Sequence, residues 1–311
     1  MVPDVSAVLP LTRTPEFAVL LASFNGLLWI DEQVTSILQQ EGVNVTIFVS
    51  DDASRDGTRE WLERRTAQDS RMKLLPRSLR FGGAAKNFFR LIRDVEFSHF
   101  DYVALADQDD VWMPGKLRAA HNLLGVTGTF AYSSNVTAFW PDGRQKITEK
   151  ACAQRDYDFL FESAGPGCTY VLNANAAGNC KSFLIANWTE VNAIALHDWF
   201  LYAWFRASKL TWCIDENSYV QYRQHQANQV GVNFGFKAAV NRFKLMQKKW
   251  YRGEVGKIAA LALMKNDIIV AGIGKNGGAV SLDVLWRYGR QFRRRTRDRF
   301  YLLVLVIFGI Y

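Results

Sequence analysis

The chain has 311 residues, of which 49% are hydrophobic and 22% charged, a balance too apolar for a disordered segment and long enough for one core with an appendage. Its formal charge of +8 is unevenly spread: from Val232 onward 16 Lys and Arg face 4 Asp and Glu, a net +12, while the preceding residues carry 22 against 26, a net −4. The four cysteines (Cys152, Cys168, Cys180, Cys213) form no C-x-x-C pair and no His stands near them in sequence, which excludes a zinc knuckle and leaves reduced core thiols.

The N-terminal "MVPDVSAVLPLTRTPE" lacks a charged segment followed by an apolar one, so no secretory signal is expected. "FAVLLAS" (17–23) reads as a buried strand that ends at "FNG", and "LLWIDEQVTSILQQ" has helical spacing of its apolar residues. The pattern repeats with the strand "VTIFVS", the turn "DDASRDGT" and the helix "REWLERR", where Asp56 or Thr58 could cap. A short strand "RMKLLP", a glycine turn opening the helix "FGGAAKNFFRLI" and the strand "YVALAD" follow. Beyond Pro114 come a helix "KLRAAHNLL", strands near "GTFAYSS" and "TAFWP", a loop-rich stretch to about Gly167, "CTYVLNANAA" and the aromatic helix "LHDWFLYAWF". From Gly235 the sequence turns helical and basic, broken by "GIGKNGG", and no stretch reaches the roughly 20 apolar residues of a membrane-spanning helix.

Alternating β and α units of this length imply a parallel sheet with ligands bound at the carboxyl ends of its strands. Three successive ends carry polar clusters: Ser23 with Asn25, Asp51 with Asp52, and Asp107 with Asp109 and Asp110. Turn chemistry accounts for some Asp and Ser at strand ends. It does not require the three carboxylates of "DQDD", which repel one another and raise each other's pKa unless a cation or donor answers them.

The motifs "LLASFNG", "VSDDASRDGT", "LADQDDVWMPGKL", "HDW" and "YRQHQANQVG", in this order, make the chain resemble family 2 glycosyltransferases of GT-A fold, rhamnosyltransferase-like branch, over about Phe17 to Gly231. The resemblance implies an α/β fold with a Rossmann-like, mostly parallel central sheet flanked by helices, followed by a helical, basic and apolar C-terminal extension. It divides the chain into an N-terminal extension (1–15), a catalytic domain (16–232, with a nucleotide-binding half at 16–113 and an acceptor half at 114–232) and a membrane-associating region (233–311). It further implies an inverting sugar transfer from a dTDP- or UDP-sugar, rhamnose favoured, to a glycan or lipid-linked glycan in bacterial surface polysaccharide synthesis, with Mn²⁺ or Mg²⁺ as cofactor. Asp109 and Asp107 map to the metal-binding D-x-D element and His225 to a third ligand; Asp107 also reaches the nucleotide. Asp51 maps to the acceptor of the pyrimidine N3–H, and Ser23, Phe24, Asn25, Gly82, Asn87 and Gln108 to the donor pocket, where Arg80 or Lys86 could reach the diphosphate. Asp52 and Asp56 are expected to support their loop, and Ala53 stands where the family more often has Gly.

A transferred sugar needs a base for the acceptor hydroxyl. Asp198 of "LHDWF" matches the family's catalytic carboxylate, with a helix N-cap as its plain structural alternative; Trp199 could stack an acceptor sugar, or serve the core as its aromatic neighbours do. The segment "LWRYGRQFRRRTRDRFYLLVLVIFGIY" sets seven Arg beside an apolar end, a pattern that lies in an anionic headgroup layer, so a cytoplasmic location on the inner face of the cell membrane is expected. The alternative is packing of that end on protein. Two rival functions also fit parts of the sequence, a metal-dependent phosphoesterase and a membrane or nucleic-acid adaptor. The acidic strand ends repel phosphate without a metal, and no nucleic-acid partner is expected.

Overall fold

The computed structural model describes residues 13–225, 250–261, 267–308 and 311. Most of the N-terminal extension and the stretch 226–249, including the onset of the basic region, lie outside the described residues. The chain divides into two compact units: residues 13–151, 165–186 and 210–225 form the first, and the described parts of 152–164, 187–209 and 226–311 the second.

The first unit holds one nine-stranded sheet with strand order β3-β2-β1-β4-β8-β6-β9-β5, and β7 paired to β6. Its strands are β1 (Glu16–Ser23), β2 (Asn44–Asp51), β3 (Met72–Leu74), β4 (Tyr102–Asp107), β5 (Val111–Trp112), β6 (Ala131–Phe139), β7 (Gln145–Thr148), β8 (Val171–Asn173) and β9 (Trp212–Arg223). Strands β1 to β4 are mutually parallel, as the βα alternation predicts. Phe17 to Leu21 are buried completely, since a central parallel strand is covered on both faces and so needs a continuous apolar run rather than an alternating one. Burying each such Val, Leu or Phe contributes about 1.5–3 kcal/mol. The helices α1 (Ile30–Leu38), α2 (Thr58–Gln68), α3 (Ala84–Asp94), α4 (Lys116–Thr127) and α5 (Ala174–Ala186) complete this unit.

Two differences from the sequence reading stand out. The stretches "GTFAYSS" and "TAFWP" belong to one strand, β6, and β9 is a 12-residue strand that the reading did not contain. Its alternation is masked by polar residues at the β-bulge where it pairs with β6.

The second unit is built around α7 (His197–Ala207), which follows the short α6 (Trp188–Val191). Every α7 residue except Asp198 and Arg206 is buried. Asp158, fully buried, accepts hydrogen bonds from Tyr202 Oη at 3.1 Å and Arg206 Nη1 at 3.0 Å, and Arg294 Nη1 stands 3.7 Å away. Arg294 also donates through its backbone N–H to Glu162 and through Nη2 to the Ser163 carbonyl. The C-terminal residues form α8 (Trp250–Ala260), α9 (Ile268–Lys275), α10 (Leu282–Tyr288) and α11 (Thr296–Ile307). The "GIGK" part of the expected break is helical, and α9 ends only at Asn276, ahead of Gly277 and Gly278 with φ of +58° and +85°. A Cβ on Gly278 would stand 2.0 Å from the Arg252 carbonyl oxygen, so this glycine lets the turn lie directly on the α8 backbone. On α11, Leu302 is buried while Phe300, Tyr301, Leu303 and Ile307 are exposed, so one face packs on protein and another does not.

Burial of His197 lowers its imidazole pKa from 6.5 to about 3. Between those values the unfolded chain binds a proton that the folded chain refuses, so stability rises with pH across this window and is lost as pH falls through it. Urea denaturation of His197→Gln between pH 6 and pH 4 should show an acid limb shallower by up to about 1.4 kcal/mol per pH unit. An unchanged limb would contradict the assignment.

Candidate active site

Parallel register sets the site. Ser23 pairs with Asp51 across β1 and β2, and Ala22 with Asp107 across β1 and β4, so the three polar strand ends emerge side by side at one edge of the sheet. Asn87, buried on α3, donates through Nδ2 to the carbonyls of Ser23 (3.2 Å) and Ser50 (2.9 Å), which holds the ends of β1 and β2 at a fixed separation.

The loops beyond those ends are fixed by their own side chains. Asp51 accepts from the Ser54 N–H and hydroxyl, and the Ser54 oxygen accepts from the Asn25 N–H at 2.8 Å. Asp52 accepts from the Phe81 and Gly82 N–H groups, and Asp56 from those of Leu27 and Thr58; both carboxylates support loops, as expected. Ala53 has φ of +57°, the left-handed region that favours glycine, which explains why an alanine there departs from the common pattern. Gln108 donates to the Phe24 carbonyl and accepts from its N–H, both at 2.8 Å. Its amide is therefore spent on the Phe24 backbone, and any contribution of Gln108 or of the Asn87 Nδ2 group to a nucleotide pocket runs through the loops they hold. A Cβ at Gly26 would lie 2.2 Å from Gln108 Oε1, so a larger residue there would displace the Gln108 amide from the Phe24 backbone. Gly82 has φ of +83° in an exposed loop, and the exposed Arg80 guanidinium lies 4.5 Å from the centre of the Phe24 ring.

The D-x-D turn is held from two sides. From α1, Gln33 Nε2 donates to the Asp107 carbonyl at 2.8 Å and Ser36 Oγ accepts from the Trp112 N–H. Just beyond the helix, Gln40 Nε2 donates to the Met113 carbonyl and its Oε1 accepts from the Leu117 N–H. From the end of β9, Arg223 donates through Nε to the Asp109 carbonyl at 2.8 Å and through its backbone N–H to Asp110 Oδ1 at 3.2 Å. The Arg223 guanidinium lies 4.6 Å from the centre of the Phe139 ring and pairs with Glu32. His225 Nε2 lies 2.7 Å from Asp109 Oδ2, and its ring stacks on Trp29 with centroids 4.1 Å apart.

Two groups of potential metal ligands thus meet at this turn. Asp109 and His225 are 15% and 14% exposed at their side chains, open enough for exchange with solvent. Oxygen and sulfur atoms of Asp107, Asp110 and Cys168 also lie within 4.8 Å of one another, but Asp110 and Cys168 are buried completely. Burial, then the charges of Asp109 and Asp107, raises Asp110 well above the ordinary carboxylate range, and burial likewise raises the Cys168 thiol. Lys116 is buried too, its Nζ 3.5 Å from the centre of the Trp112 ring, and burial lowers its pKa to about 7. Burial makes Asp110 and Cys168 poorer partners for a dication than the more open Asp109 and His225. The Asp109 carboxylate and the His225 imidazole offer the oxygen and nitrogen donors that Mn²⁺ accepts, so they fit the cofactor that the sequence implies.

The candidate residues of the second unit stand on α7. Helix α7 begins at His197 with Leu196 before it, so Asp198 is not the N-cap; it sits in the first turn and accepts the Trp199 N–H at 2.8 Å. An anion there is favoured by the helix dipole. Trp199 is 2% exposed, donates its indole N–H to the Phe159 carbonyl and stacks on Tyr251. The ring is engaged in the core of its unit, the second of the two roles that the sequence leaves open for it.

Sequence reasoning missed Trp29, Gln33, Ser36, Gln40, Lys116 and Arg223. A signal for the three α1-side residues exists: polar residues at positions 33, 36 and 40 interrupt the buried stripe of Ile30, Val34 and Ile37. Buried amides and hydroxyls need partners, and here those partners are the backbone of the acidic turn.

Known proteins with similar sequence or fold identify the family. The profile of Glycosyl transferase family 2 matches residues 18–183. The chain is 41% identical to the dTDP-rhamnosyl transferase RfbG of Shigella flexneri over 94% of its own length and 100% of that protein. It is 28% identical to the UDP-Glc:alpha-D-GlcNAc-diphosphoundecaprenol beta-1,3-glucosyltransferase WfgD of Escherichia coli, over 53% of this chain and 63% of that one. Among solved structures, S. aureus TarS 1–349 in complex with UDP-GlcNAc covers 95% of this chain and 80% of its own, with a TM-score of 0.55 at 13% identity, a likeness of fold. A family profile spanning more than half the chain and a relative aligned along nearly all of it converge on the same conclusion: the chain belongs to glycosyl transferase family 2 and is a glycosyltransferase with a GT-A fold.

Proposed function

We propose that the chain is an inverting, divalent-metal-dependent transferase that moves rhamnose from a thymidine diphosphate donor to a glycan or lipid-linked glycan during synthesis of a bacterial surface polysaccharide. Family membership sets aside the phosphoesterase and adaptor readings. The observation that carries the donor is full-length similarity at 41% identity to a protein named for dTDP-rhamnosyl transfer. The observation that supports the metal is the approach of His225 Nε2 to Asp109 Oδ2, residues 116 positions apart in sequence. Asp109 and His225, with Asp107 beside them in the turn, would hold Mn²⁺ or Mg²⁺, which when bound supplies Lewis-acid neutralisation of the diphosphate.

The chain's own residues do the rest. Asp51 accepts the pyrimidine N3–H, while Ser23, Phe24, Asn25 and Gly82 shape the donor pocket with backbone held by Asn87 and Gln108. Asp198 takes the proton of the acceptor hydroxyl as the new bond to the anomeric carbon forms and the bond to the diphosphate oxygen breaks, its electron pair leaving with the diphosphate. An in-line attack by one hydroxyl inverts the anomeric centre and needs no covalent sugar–enzyme intermediate.

The acceptor side is proposed to lie at the cytoplasmic face of the cell membrane. Among the described residues no helix is long and apolar enough to cross a bilayer. Trp286 on α10 is 87% exposed and Phe308, after α11, is 71% exposed, with Arg287, Arg290 and Arg297 exposed in the same segment. Large exposed apolar side chains interleaved with arginines suit the headgroup layer of an anionic membrane.

Asp198→Asn should abolish rhamnosyl transfer and leave dTDP affinity unchanged; near-normal turnover would remove the base assignment. Screening nucleotide sugars for Mn²⁺-dependent donor hydrolysis should give dTDP-rhamnose as the preferred donor. In vesicle sedimentation, anionic lipid should retain the chain and added salt should release it. Equal binding to neutral vesicles would defeat the electrostatic account.

A further inference from the structure

We infer that Trp29 is a positioning residue that holds the His225 imidazole toward Asp109. This deepens the proposed metal-binding reading and rests on it. Trp29 stands immediately before α1, and its place is fixed by the turn at Gly26: the Trp29 N–H donates to the Gly26 carbonyl at 2.9 Å, and the Trp29 carbonyl accepts the Gln33 N–H. The Gly26 carbonyl also accepts the Ile30 N–H at 3.0 Å, and the Gly26 N–H donates to Thr58 Oγ1 at 2.9 Å, so the turn is bonded on both sides of Gly26. The indole is therefore anchored to the same framework that fixes Asp107 and Gln108.

His225 lies two residues beyond the last residue of β9, next to Gln224, whose N–H donates to the Phe139 carbonyl of β6 at 2.9 Å. Its ring lies nearly parallel to the indole, with centroids 4.1 Å apart and planes inclined by 20°. A stacked face leaves the ring edge available, and here that edge presents Nε2 to Asp109 Oδ2 at 2.7 Å. Glu32, on the first turn of α1, pairs with Arg223, and Arg223 binds the Asp109 carbonyl. The start of α1 thus braces both residues of β9's end that reach Asp109, one through charge and one through stacking. Without the indole, rotation about the His225 side chain would carry Nε2 away from the carboxylate. Partners that orient a metal-ligating histidine act in this way.

The chain has four His, so selective ¹³C labelling of histidine gives a small set of ring signals in the full-length protein. His225→Gln identifies the signal of interest. In the wild type that signal should be displaced upfield by the indole ring current; Trp29→Leu, which keeps apolar bulk, should return it to the ordinary position, and Trp29→Phe should retain most of the displacement. Free Mn²⁺ measured by electron paramagnetic resonance in the presence of dTDP should show affinity weakened about tenfold in Trp29→Leu and by less than about threefold in Trp29→Phe. Wild-type Mn²⁺ affinity in Trp29→Leu, or an unmoved His225 signal, would overturn the inference while leaving the metal reading intact. Failure of Mn²⁺ to bind the wild type or broaden its His225 signal would refute the metal reading, and this inference with it.

Discussion

Like charge at the end of a buried strand is the constraint around which the first unit is arranged. Asp107, Asp109 and Asp110 leave β4 within four positions, and their mutual repulsion favours any conformation that spreads them apart. The fold opposes this with directional bonds to the backbone of the turn rather than with counter-charge alone. Gln33, Ser36 and Gln40 grip it from the α1 side, Arg223 from β9, and Gln108 turns back onto Phe24. Hydrogen bonds to main-chain groups fix geometry without neutralising carboxylates, so Asp109 keeps an oxygen facing His225.

Beneath the turn the fold does something different with the third carboxylate. Asp110 is buried with Cys168 and Lys116, and burial pushes the acid's pKa up and the amine's down. Each shift moves its group toward the neutral form, the state that a low-dielectric environment tolerates best. Two neighbouring aspartates thereby acquire distinct characters: Asp110 belongs to the interior, bonded to the Arg223 N–H, and Asp109 to the edge. Proximity in sequence does not make them equivalent.

The parallel half of the sheet was legible because its signals are local. β1 and β4 are continuous apolar runs and β2 nearly so, each turn carries Asp, Asn or Gly, and the crossover rule then places the strand ends on one edge. The acidic cluster was legible for the same reason. What escaped was long-range pairing. That β9 passes beside the turn at Asp109, that Trp29 meets His225 and that Gln33 reaches Asp107 follow from topology, and no window of sequence contains both partners. Trp199 was ambiguous in sequence because an aromatic beside a candidate base reads the same whether it faces a sugar or a core. Only its bond to Phe159 and its stacking on Tyr251 tell the two apart. The C-terminal region, expected as a helical extension, shares a folded unit with α7, where Arg294 closes on Glu162, Ser163 and Asp158.

In the proposed function the acidic edge takes up a cation and a nucleotide together. Isothermal titration of dTDP into the full-length chain, with Mn²⁺ and with EDTA, tests this most directly when repeated on Asp109→Asn. Affinity that requires Mn²⁺ in the wild type and disappears in Asp109→Asn is the predicted result. Equal affinity in Mn²⁺ and EDTA, or a Mn²⁺ requirement that survives the substitution, would contradict it.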